Sequence, residues 1–227
     1  MSNRIDKCFD SLKSNGKKAL ITFVTAGDPD MESTEKIVLS MFENGADIVE
    51  LGVPFSDPIA EGVTIQKSSL RSLSKGTTLD TIFDLVKSIR KKTDKPLLLM
   101  MYLNTIFVYG KEKFFKNCKD HEIDGVIVPD MPYEERDEIL DDANKYGIYN
   151  ISLVAPTNRI TEIASNSSGF LYCVSSIGVT GTRTEFKTNF DEFFSLINKN
   201  VSCPACVGFG ISSPEQAGKM SKYCDGV

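Results

Sequence analysis

Short apolar runs of strand character alternate with helix-spaced apolar patterns along the whole chain, and this alternation limits the fold more than any other feature. The runs lie at 19–27, 46–53, 95–103, 125–129, 149–155, 169–175 and 203–209, and Cys224-Asp-Gly-Val227 reads as the start of an eighth. A stripe of Ile5, Cys8, Phe9 and Leu12 precedes the first run and ends near Gly16. Between later runs, Ile37, Val38, Met41 and Phe42 stop before Gly45, and Leu79, Ile82, Phe83, Val86 and Ile89 follow Thr77 and Thr78. Phe114, Phe115 and Cys118 mark a further helix, residues 132–146 another that is acidic at its start and closed by Gly147, and Phe190, Phe193, Phe194 and Ile197 one more. Strict alternation implies parallel strands joined by right-handed crossovers. A doubly wound sheet and a closed (β/α)8 (TIM) barrel both satisfy the pattern; eight units favour the barrel. With 227 residues, 41% of them hydrophobic, residues 1–227 are expected to form a single barrel domain.

Composition narrows the function. The net charge is -5 and the Lys and Arg residues are spread out, which leaves no basic block to follow a phosphate backbone. No apolar run approaches the roughly 18 residues of a membrane span, and Met1-Ser2-Asn3-Arg4-Ile5-Asp6 lacks the apolar centre of a signal peptide, so a cytoplasmic protein is expected. Six scattered cysteines suit reduced thiols. Only Cys203-Pro-Ala-Cys206 has motif spacing, but it leads into a strand, where positions i and i+3 point to opposite faces, so a metal or redox pair is disfavoured.

In a barrel the loops leaving the C-terminal ends of the strands carry the chemistry. Two are long. One spans 54–76 with a helical segment near 64–73, and the other spans 176–188; both read as lids, with a plain surface insertion as the alternative. On the strand before the first of these, Glu50 sits among Ile48, Val49 and Leu51 and shares a face with Ile48 and Gly52. A carboxylate in an apolar run either reaches solvent or a Lys, or is a catalytic acid or base at the strand end, because burying it unpaired is costly. The sole histidine, His121, falls in the connection into the strand at 125–129, at the opposite end of a barrel, and reads as structural or solvated. Acid–base work then falls to Glu50, Asp57, Glu61, Asp130, Tyr102 or Tyr172. Gly208-Phe-Gly-Ile-Ser-Ser-Pro-Glu-Gln216 ends a strand and starts a helix, with Ser213 as N-cap, Pro214 in the first turn and Gln216 completing a capping box. Such a start attracts anions, and Gly178-Val-Thr-Gly181 would supply further amides; an ordinary well-made cap is the alternative.

Four spaced motifs carry a family resemblance: Glu50-Leu-Gly-Val-Pro-Phe-Ser-Asp-Pro-Ile-Ala-Glu61-Gly with Thr64-Ile-Gln66, Met101-Tyr-Leu-Asn104, Gly178-Val-Thr-Gly181 and Gly208 to Gln216. Together they closely resemble the α subunits of tryptophan synthase, in order and over nearly the whole chain. The resemblance implies a (β/α)8 barrel that cleaves indole-3-glycerol phosphate to indole and glyceraldehyde 3-phosphate by a retro-aldol reaction, without a cofactor of its own. It also implies a β subunit carrying pyridoxal phosphate, joined in an α2β2 heterotetramer and receiving the indole through a tunnel. By the same resemblance Glu50 is the proton-shuttling glutamate, and position 61 is the acid that holds the indole N–H. Tyr172 and Thr180 match a substrate-side tyrosine and a lid threonine; Phe23, Met100 and Ile127 fall where the indole pocket is lined; Gly181, Phe209, Gly210 and Ile211 fall where the phosphate is held. Three departures stand out. Glu61 replaces an aspartate, Val63 replaces a proline, and family members continue past Val227 through strand 8, a phosphate loop and a final helix, so those elements are expected to be truncated here. The first and third keep open an α subunit that is weak in catalysis and acts mainly as an allosteric activator of its β partner. A stand-alone lyase releasing free indole is the other alternative.

Overall fold

The computed structural model describes residues 3–174, 190–208 and 210–227. Strands β1 (Ile21–Thr25), β2 (Ile48–Gly52), β3 (Leu97–Met100), β4 (Gly125–Ile127) and β5 (Tyr149–Ile151) pair in that order, and β6 (Leu153–Val154), β7 (Leu171–Val174) and β8 (Ala205–Gly208) form a second parallel group. The groups are two arcs of one ring. β5 and β6 are a single barrel strand interrupted at Ser152, whose carbonyl accepts from Tyr172 N at 2.9 Å. On the other side Gly226 bridges both Ala19 and Cys206, and Ile21 N donates to Val227 O at 2.7 Å. The expected eighth strand is thus present as this bridge, and the ring is the (β/α)8 barrel that the alternation favours.

Side-chain alternation sorts the strands into two faces. Val49, Leu51, Leu97, Leu99, Val126 and Val128 pack outward against α2 (Met31–Glu43), α4 (Leu79–Arg90), α6 (Lys111–Asp120) and α7 (Asp137–Tyr146). Ile48, Leu98, Ile127, Ile151, Phe170 and Cys206 face inward and form one buried cluster with Ile5 and Phe9 of α1 (Arg4–Ser14), which therefore plugs the N-terminal mouth. At that mouth buried Asp124 pairs with Arg90 at 2.6 Å and Arg4 at 3.3 Å and accepts from Leu97 N at 2.9 Å, tying α1 and α4 to the strand ends. The opposite, C-terminal mouth is left for chemistry.

Several boundaries differ from the sequence pattern. The apolar run at 95–103 ends as a strand at Met100, and α5 (Leu103–Tyr109) begins three residues later. The first amide of α5, Leu103 N, is taken by the Asp130 carboxylate at 2.9 Å, a cap from another loop that no local pattern reveals. The helix expected over 132–146 opens as a 3-10 turn (Tyr133–Glu135) and becomes α-helical at Asp137, closing on Gly147 in the left-handed region at φ 73°. A helical segment in the long second loop is present as α3 (Val63–Ser74), and α8 (Ile160–Ser165) is a helix that the apolar pattern does not mark. The last helices are α9 (Phe190–Asn200) and α10 (Pro214–Met220). No described helix is long and apolar enough to cross a membrane.

Candidate active site

Glu50 sits third in β2, in register with Phe23 of β1 and Leu98 of β3, on the inward face it shares with Ile48. Its side chain does not escape to solvent: the residue is 3% exposed, and its Oε1 has no hydrogen-bond partner. Burial pushes its carboxyl up to about 8, and among the described residues no opposing charge offsets it. At neutral pH Glu50 is therefore largely protonated and holds a proton over the barrel lumen. Of the two readings of this residue, the structure excludes the solvated strand end.

Two glycines shape the space around it. A Cβ at Gly52 would lie 2.4 Å from Phe23 Cζ, and one at Gly208 would lie 2.2 Å from the Tyr172 hydroxyl, so each aromatic ring is seated on a strand-end glycine. Phe23 and Tyr172, with Met100 at the end of β3 and Ile127 at the end of β4, line the same inward face. The four residues expected at the indole pocket thus share the inward face of the barrel. Thr180, Gly181 and Phe209 lie outside the described residues, as does the long loop expected at 176–188.

Glu61 approaches from the loop after β2. Its Oε2 accepts the proton of the Tyr102 hydroxyl, which in turn accepts from Ile59 N at 3.0 Å and Ala60 N at 2.9 Å. The Tyr102 ring is 4% exposed and stacks on Phe55 at 4.9 Å, and burial together with the bond to Glu61 pushes its phenol up to about 12. Gln66 closes the loop by donating to Glu61 O at 2.9 Å.

The other candidates separate from the site. Asp130 is spent on the α5 cap, and Asp57 is exposed and bonded to the Ser56 hydroxyl at 2.5 Å. His121 caps α6, lies tilted against the Phe83 ring at 5.0 Å and has Nδ1 2.9 Å from Asn117 O, which bears out its structural reading. Gly210, with φ 82°, and Ile211 form the turn between β8 and α10, and the Ile211 side chain packs outward rather than into the lumen. Ser213 caps α10 as expected, accepting from Gln216 N at 3.3 Å, but the Gln216 side chain reaches the Ser212 amide at 2.9 Å instead of the cap residue's own. Cys206 in β8 points into the barrel cluster while Cys203, two residues before the strand begins, packs on the outer one, so the two thiols face different clusters. Among the described residues no group of His, Cys, Asp or Glu is placed to hold a metal ion.

A parallel barrel with a desolvated carboxyl in its C-terminal mouth and a second carboxylate on the adjoining loop is the arrangement of a class: the barrel enzymes. Comparison with known proteins makes the class particular. Residues 9–227 match the tryptophan synthase alpha chain family. The tryptophan synthase alpha chain of Thermoanaerobacter sp. (strain X514) is 53% identical over 227 residues, which cover 99% of this chain and 87% of that one. The crystal structure of tryptophan synthase subunit alpha from Legionella pneumophila str. Paris superposes with a TM-score of 0.88 at 35% identity, covering 100% of this chain and 86% of that one. A Mycobacterium tuberculosis tryptophan synthase structure gives a TM-score of 0.91 at 30% identity, covering 100% and 88%. The chain belongs to the tryptophan synthase alpha chain family, whose members cleave indole-3-glycerol phosphate in tryptophan biosynthesis.

Proposed function

We propose that this chain is the lyase that splits indole-3-glycerol phosphate into indole and glyceraldehyde 3-phosphate, with Glu50 as acid and then base. The observation that carries the assignment is the buried Glu50 carboxyl, pushed up to about 8 and lacking a partner at Oε1. Protonating an aromatic carbon requires a positioned acid that still holds its proton at the working pH. Glu50 delivers its proton to indole C3, which places positive charge on the ring nitrogen. The Glu61 carboxylate accepts the indole N–H and stabilises that charge. Glu50, now a carboxylate, takes the proton of the hydroxyl on the carbon attached to the ring. The bond between that carbon and C3 breaks, its electron pair returns to the ring, the aldehyde forms, and no net proton is consumed.

Phe23, Met100, Ile127 and Tyr172 supply the walls for the indole, and Thr180 the lid contact. The phosphate is assigned to the backbone at Gly181, Phe209, Gly210 and Ile211. These steps are proton transfers, so this chain is assigned no cofactor; pyridoxal phosphate belongs to the β partner. Docking of that partner, in an α2β2 assembly, is supported by large apolar residues left in water on the elements that leave β2 and β3: Ile59 (73% exposed) and Val63 (66%) on one, Phe107 (43%) and Val108 (81%) on the other. The six free thiols agree with a cytoplasmic setting.

The test is direct. The chain is incubated with indole-3-glycerol phosphate, with and without β subunit, and indole is measured. Glu50→Gln, which fills the same volume but exchanges no proton, lowers the rate by ~10²- to 10⁴-fold. Retention of more than about a tenth of the activity would assign the proton transfer to another group.

A further inference from the structure

We infer that Tyr102 is a positioning residue for Glu61: its single hydroxyl both sets the backbone of the loop after β2 and aims the carboxylate that loop carries. The inference rests on the lyase assignment above.

A phenol hydroxyl has one proton and two acceptor lone pairs. Here all three are used on three consecutive residues: the amides of Ile59 and Ala60 donate to it at 3.0 and 2.9 Å, and its proton goes to Glu61 Oε2. The oxygen is a fixed point, because its ring is buried, stacked on Phe55 and rooted at the residue that caps α5, whose next amide is held by Asp130 from the loop after β4. The oxygen thereby joins the loops after β2 and β3, and the Leu103 amide ties the second of these to the loop after β4. Among the described residues the loop's other tie is Gln66, which donates to Glu61 O at 2.9 Å, while the Ile59 side chain is 73% exposed and gives its turn little anchorage. A glutamate also has one more rotatable bond than an aspartate, so its carboxylate needs an external contact to choose one orientation. Tyr102 supplies that contact in the ground state, and its phenol, pushed up to about 12, keeps its proton throughout the working pH range.

The variant Tyr102→Phe removes one oxygen and keeps the ring. A carboxylate displaced by about 1 Å costs on the order of 10²-fold in rate, so kcat falls ~10- to 100-fold while KM for indole-3-glycerol phosphate stays within about threefold. In a Glu61→Ala background the same substitution costs nothing further, because the group it positions is gone. Amide exchange of the 56–62 segment, followed by mass spectrometry on the full chain, is faster in Tyr102→Phe than in wild type. Unchanged kcat in Tyr102→Phe overturns the inference, and so does an equal loss in both backgrounds, which marks Tyr102 as general support for the fold. If the wild-type chain and its β-subunit complex both produce no indole, it is the lyase assignment that fails. The positioning is then judged on exchange alone: acceleration in Tyr102→Phe upholds the latch, and identical exchange refutes it.

Discussion

Replacing Glu50 with Gln changes how the fold's stability depends on pH, and the size of that change follows from the burial of one carboxyl. In the unfolded chain Glu50 titrates at the ordinary value of 4.5; in the barrel it is pushed up to about 8. Below 4.5 both states hold the proton. Between the two values the folded chain keeps a proton that the unfolded chain has released, so each unit of pH weakens the fold by about 1.4 kcal/mol. Above about 8 the folded state releases it too and the slope from this group ends. The full excursion is about 5 kcal/mol, a large share of the 5–15 kcal/mol that holds a typical domain together.

Glu50→Gln removes this titration while leaving every other group in place. The glutamine amide is offset in stability by a constant, which cancels from any comparison of slopes. Urea unfolding of both proteins at fixed pH values from 5 to 9 is therefore expected to give curves that diverge: the wild type loses several kcal/mol relative to the variant as pH rises, most of it before pH 8. The same group sets the activity profile, because kcat/KM falls on the alkaline side as the free enzyme loses its acid. Parallel stability curves for the two proteins would refute the reasoning. They would mean that Glu50 is already charged at neutral pH and cannot donate a proton to a carbon.

Three further outcomes follow from particular contacts. Gly52→Ala places a methyl 2.4 Å from Phe23 Cζ, so the ring is driven off its seat; KM for indole-3-glycerol phosphate is expected to rise ~10-fold with a stability loss of about 1–3 kcal/mol, measured by steady-state kinetics and urea unfolding. Asp124→Ala strands the Arg90 guanidinium, whose side chain is 6% exposed, at the closed end of the barrel; thermal and urea unfolding should show a loss of ~3–5 kcal/mol while kcat at permissive temperature is unchanged. Val108→Asp puts a charge on an 81% exposed apolar position of α5; β-subunit affinity, measured by titration calorimetry, falls at least ~10-fold, and indole production by the isolated chain does not change.

The barrel was legible because its signal is repeated: the strands found at β1 to β8 all fall inside the apolar runs, and the register of each is forced by having one face toward helices and the other toward the lumen. Boundaries failed where the pattern is locally degenerate. Residues 95–103 read as one apolar strand, yet the chain turns into α5 because Asp130, 27 residues away in sequence from Leu103, supplies the missing cap. The break between β5 and β6 at Ser152 is likewise a consequence of pairing with different neighbours on the two edges, which no single strand's composition records.

At the site the same division holds: both carboxylates are candidates from the sequence, but the face of one follows from its strand while the orientation of the other appears only in the structure. Glu50 lies within a strand whose alternation assigns it a face; that it stays buried there, and so the direction of its pKa, is shown by the structure. Glu61 lies in a loop, where no periodicity fixes the direction of a side chain. What orients it is a hydroxyl 41 residues further on, placed there by the end of β3 and by a helix cap from beyond β4. The extra methylene of glutamate at this position is therefore not, by itself, a loss of function: the carboxylate's place is set by where Tyr102 holds it rather than by the length of the side chain alone. A chain that uses glutamate here needs such a fixed partner more than one that uses the shorter, stiffer aspartate.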